Sequence, residues 1–87
     1  MVELSVQYNR IIAHNADLSA RFGDLHADIV VDKIGRVQVL AGRMRFYCDV
    51  DAIGKDVLEA IEDLLNKDKD LAIRFRKLKA KVHRHLA

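Results

Sequence analysis

Hydrophobic and polar residues alternate strictly at the start of the chain: Val2, Leu4, Val6 and Tyr8 interleave with Glu3, Ser5, Gln7 and Asn9. A period of two predicts a strand with one buried face, and a helix is its rival because Leu4, Tyr8 and Ile11 also share a helical face. Residues 15–22 predict a short helix, with Asn15 and Asp17 as capping types, Leu18 and Phe22 four apart, and Gly23 as a left-handed end. Ala27 to Val31, Asp32-Lys-Ile-Gly35 and Arg36 to Leu40 then have the form strand, turn, strand. Asp32 suits the first position of a four-residue hairpin loop and Gly35 supplies positive φ at its end. After Ala41-Gly42, Met44, Phe46 and Cys48 alternate with Arg43, Arg45 and Tyr47, which predicts a third strand of a meander over 43–49.

From Lys55 the period changes. Val57, Ile61, Leu64, Asp68, Leu71, Phe75, Leu78 and Val82 recur at alternating steps of four and three, apolar at every position but Asp68. This is a sustained helical stripe. The polar cluster 66–70 leaves two alternatives: one helix over 55–86, or two helices meeting there with Asp70 as the second N-cap. The preserved phase favours one helix. Such a helix spans about 45 Å, more than so small a sheet can cover. Its apolar end, Phe75, Leu78, Val82 and Leu86, would then need a partner, and a second copy laid antiparallel would set acid against base. The expected fold is α+β, a single domain over 1–87: a small, mostly antiparallel sheet, a short early helix and a long C-terminal amphipathic helix.

Composition narrows the function classes. No apolar run approaches a membrane span, and Glu3 within the alternating Met1 to Arg10 argues against a signal peptide. The single cysteine, Cys48, excludes an internal disulfide and suits a reducing compartment, so the cytoplasm is expected. There is no glycine-rich phosphate loop, nucleophile elbow or paired-histidine metalloprotease motif. Cys48 shares a strand face with Met44 and Phe46 and reads as a buried, inert thiol. His83 and His85 are two apart on a helix and diverge, whereas metal ligands favour three or four. Asp49-x-Asp51 before Gly54 lacks the remaining ligands of a calcium loop. A non-enzyme without cofactor or metal is expected.

The charge is unevenly distributed. Residues 67–87 carry eight Lys/Arg against Asp68 and Asp70, while residues 1–66 carry seven basic and eleven acidic residues. Acid early and base late in the helical stretch complement the helix dipole, and Asp63 to Lys67 and Asp70 to Arg74 are favourable i,i+4 pairs. These leave Lys77, Lys79, Lys81 and Arg84 without acidic neighbours. Arg74, Lys77, Lys81 and Arg84, at steps of three, four and three, form a basic stripe that could track phosphates. Arg43 and Arg45, beside Tyr47, could extend it. RNA or a ribonucleoprotein surface is the expected partner, with a homodimeric interaction module on the apolar stripe as the rival.

The segment Gly54-Lys-Asp-Val-Leu-Glu-Ala-Ile-Glu-Asp-Leu-Leu-Asn-Lys67, after a strand and before a basic tail, resembles the last helix of the short ribosome hibernation-promoting and ribosome-associated inhibitor proteins. The matching positions are Gly54, Asp56, Ala60, Ile61, Glu62 and Lys67, then the tail from Arg74; the opening strand Val2 to Tyr8 also suits the family. The resemblance implies a β-α-β-β-β-α domain docking on the small ribosomal subunit and blocking its decoding channel. It implies RNA contact for Arg74, Lys77, Lys81 and Arg84.

Overall fold

Five strands form one antiparallel sheet whose spatial order repeats the chain order. In the computed structural model, which describes residues 2–87, they are β1 (Glu3–Val6), β2 (Arg10–Asp17), β3 (His26–Asp32), β4 (Arg36–Ala41) and β5 (Met44–Asp49). A single helical turn, α1 (Ser19–Phe22), joins β2 to β3, and a 3-10 turn at Val50–Ala52 leads into α2 (Lys55–Lys67), α3 (Lys69–Arg74) and α4 (Arg76–Leu86). The α+β class stands. The order departs from the β-α-β-β-β-α arrangement implied by the ribosomal resemblance, because β2 follows β1 directly and the early helix is one turn long.

One sheet face is covered. Ile11 and Ala13 of β2, Ile29 and Val31 of β3, and Val37 and Val39 of β4 are fully buried beneath Val57, Ile61, Leu65, Leu78 and Val82 of the helices and Phe75 at the α3–α4 junction. Among the described residues, none on the opposite face is buried. The alternation at the N-terminus is a strand, as its period of two predicts. The strand β2 replaces the first half of the helix expected over 15–22. A bulge between Ala13 and Ala16, with Asn15 at φ 53°, breaks its alternation, so Ala16 and Leu18 return to the core face one residue out of phase. The Asn15 amide donates to Asp28 Oδ1 at 2.9 Å, which holds the bulge to the next strand.

The helical stretch is not one rod. At Asp68 the backbone is extended, and its carboxylate accepts from the amides of Asp70 and Leu71 at 3.0 and 3.1 Å. Asp68 is thus the N-cap of α3, the role that the two-helix alternative gives to Asp70. The helix breaks again at Phe75 (φ −109°, ψ 30°). Phase survives both breaks because each piece turns its apolar side to the same sheet. The longest axis of the molecule is 34 Å, shorter than the ~45 Å an unbroken helix would need.

Candidate nucleic-acid interface

Three chain segments meet at one end of the sheet: the β1–β2 turn, the β3–β4 hairpin tip and the α3–α4 junction. The hairpin is set by Asp32, whose Oδ1 accepts from the amides of Ile34 and Arg36 at 3.0 and 2.9 Å, and by Gly35 at φ 92°. Its Lys33 carbonyl accepts the Leu78 N–H at 2.9 Å. In a continuous helix that amide would bond the carbonyl of Arg74, so the hairpin takes a donor that the break at Phe75 releases. Arg74 turns to Tyr8 instead of Asp70: Nη1 donates to the Tyr8 carbonyl at 3.3 Å, and the guanidinium lies 4.7 Å from the ring centroid. Lys33 Nζ lies 4.8 Å from the same ring, which is 69% exposed. Cation–π contacts at such exposure contribute about 0.5–1 kcal/mol each.

The result is a depression of about 210 Å³ lined by Lys33, Ile34, Ile73, Arg74, Arg76 and Lys77. Among the described residues, none of these four cations has a carboxylate within ion-pair distance. Among the described residues three other cations do: Lys81 with Asp49 at 3.4 Å, Arg21 with Asp51 and Lys55 with Glu59 at 3.9 Å. Unpaired cations around two exposed apolar side chains, Ile34 and Ile73, make an anion-seeking rim rather than a self-neutralised surface.

The expected basic stripe is only partly assembled. Arg74 and Lys77 lie on the rim; Lys81 packs across Gly35 toward Asp49, and Arg84 is exposed one helical turn further along α4. Arg43 is not on a strand but in the turn joining β4 to β5, at the opposite end of β4 from the rim, and Arg45 pairs in register with Leu40 on the open sheet face. The apolar residues expected to form a dimer seam are otherwise engaged. Phe75, Leu78 and Val82 are fully buried and Leu86 packs against the same core. The overhang that would have required a partner does not exist, since the breaks fold that segment back over its own sheet. Lys33, Arg76 and Tyr8 were not singled out by the sequence. Lys33 sat in a recognisable hairpin loop, but nothing local showed that the tip would meet a helix.

The remaining chemistry is dispersed. Cys48 is half-buried on the face of Phe46; burial foremost, then Asp51, pushes its thiol pKa up, with Arg21 opposing. His83 Nδ1 lies 3.1 Å from Glu62, and His14 lies between Ser5 and Asp28. Among the described residues no three of His, Cys, Asp and Glu converge as a metal site would need, and no helix is long and apolar enough to cross a membrane. Comparison with protein families, curated proteins and solved structures finds no match.

Proposed function

We propose that this chain is a non-catalytic RNA-binding domain that docks on RNA or a ribonucleoprotein surface through the rim around Lys33, Arg74, Arg76 and Lys77. The observation that carries the reading is that four cations with no carboxylate in ion-pair distance converge on one depression. A phosphate backbone carries condensed cations, and lysine and arginine that neutralise its phosphates release them with a gain in entropy. The surrounding architecture fixes their spacing: Lys33 belongs to a hairpin tip and Arg76 and Lys77 to the first turn of α4, joined by a backbone hydrogen bond.

The test is RNA binding across a range of salt concentrations for the wild type and for a Lys33→Gln, Arg76→Gln, Lys77→Gln triple variant. Glutamine preserves helix propensity, so the fold should survive. Affinity should fall for every RNA sequence, and the slope of log affinity against log salt should flatten by roughly 0.7–0.9 for each phosphate no longer neutralised. Arg43→Gln, at the far end of β4, should leave the slope unchanged. A wild type that ignores RNA at low salt overturns the proposal and leaves an acidic protein partner as the occupant of the rim.

A further inference from the structure

The rim does not stop at the helix. Ile34 lines both the depression beside Lys77 and a second one, of about 210 Å³, that also includes Arg36 and Lys81. Arg36 in turn lines a third, of about 240 Å³, on the open sheet face with Arg10, Val30, Gln38 and Tyr47. Ile34 and Arg36 thus stand between neighbouring depressions in a succession from the start of α4, over the hairpin, to the uncovered side of the sheet. The two carboxylates along it are already engaged. Asp32 accepts two hairpin amides, and Asp49 accepts the Val50 amide and pairs with Lys81.

The open face itself is banded. Tyr47 pairs in register with Gln38, Gln38 with Val30, Val30 with Ile12 and Ile12 with Ser5, which gives an uncharged row across all five strands. On the side of the rim this row is bordered by Arg10 in register with Asp32 and by Arg36 in register with Asp49, and on the other side by Arg45, Leu40 and Asp28. Tyr47 is 67% exposed. An exposed ring with an amide directly opposite, between Arg36 on one side and Arg45 on the other, offers a base a stacking face and hydrogen bonds, and offers its phosphates charge. A duplex hides its base faces and has no use for such a row.

We infer that the ligand of the rim is single-stranded, and that the strand continues over the hairpin so that a base stacks on Tyr47 beside Gln38 while its phosphates follow Arg36 and Arg10. This rests on the RNA-binding reading and specifies its substrate class. The test uses the full chain with a short labelled RNA of mixed sequence, free and annealed to its complement, and the same strand as DNA. The single strand should bind more tightly than the duplex, and the DNA arm reports whether the 2′-hydroxyl contributes. Tyr47→Thr keeps strand propensity but removes the ring. It should weaken single-strand binding by about fivefold or more, the smallest loss expected when one base is deprived of an aromatic stacking partner. Its salt slope should match the wild type, and Tyr47→Phe should bind as the wild type does. If Tyr47→Thr binds the single strand unchanged, or the duplex binds as tightly, the sheet-face course is overturned. The rim reading then still stands if the triple glutamine variant loses affinity. If the wild type binds no nucleic acid at low salt, both fall.

Discussion

The backbone N–H of Leu78 donates to the carbonyl of Lys33 at 2.9 Å, so a hairpin tip satisfies an amide in the first turn of a helix. First-turn amides have no partner within their own helix, and here the tertiary fold supplies one. The same bond fixes the distance between the cations of the hairpin and those of α4.

Gly35 is where that docking is most sensitive. Its φ of 92° strains any side chain, and a Cβ there would stand 2.7 Å from Lys81 Cδ. Gly35→Val should destabilise by about 1–3 kcal/mol in urea unfolding. Adding Lys81→Ala should recover the steric part only, leaving the backbone strain. A fully additive pair would mean that the two residues do not meet.

Phe75 and Ile73 should behave as opposites despite lying two residues apart. Phe75 is fully buried, and Phe75→Ala should cost about 3–5 kcal/mol through reduced burial and a cavity. Ile73 is 73% exposed, and Ile73→Asp should change stability by no more than about 0.5 kcal/mol. Sedimentation of wild-type and Ile73→Asp proteins alongside thermal melts would separate a core role from an interface role at each position.

Asp68 caps α3 through two amides. Asp68→Ala should therefore destabilise by about 0.5–2 kcal/mol, and Asp68→Asn by much less, because asparagine is also a good N-cap. Equal destabilisation by both would place the effect in charge rather than capping.

Cys48 should be a slow thiol. Its pKa is raised above the ordinary 9.0, chiefly by burial and then by Asp51. Less thiolate is present at any given pH than in a free cysteine, so native labelling should be slow and denatured labelling fast. Asp51→Asn should speed native labelling at mildly alkaline pH, and Arg21→Gln should slow it. The linkage has a definite sign. The unfolded chain loses this proton at lower pH than the folded one, so stability from this group is intact below 9.0 and declines as pH rises beyond it. Fast native labelling would show that the thiol is open to solvent.

Much of this architecture was legible because its signals are local. The Asp32-to-Gly35 hairpin, the alternation of Met44, Phe46 and Cys48 and the apolar stripe from Val57 to Val82 each depend on neighbours in sequence. Failure came where tertiary packing overrides local pattern. The bulge at Asn15 shifts β2 by one residue, so Ile11, Ala13 and Ala16 show no clean period and the capping residues read as a helix start. Unbroken phase past Asp68 argued for a single rod, yet phase records only that each segment faces the same core. Of the candidate site, Arg74 and Lys77 were visible as part of a stripe. Lys33 and Tyr8 were not, since their proximity depends on two turns meeting a helix junction.

The meander's order has a consequence for how the chain acquires its structure. Each strand pairs with the one made just before it, so the sheet can zip forward by successive hairpins with small loop-closure cost. Its apolar side, however, is covered mainly by residues after Gly54. During synthesis all five strand segments precede the helices that cover them, and a fragment ending at Gly54 should aggregate or bind a hydrophobic dye. The last third of the chain thus shields what came earlier, besides carrying most of its positive charge.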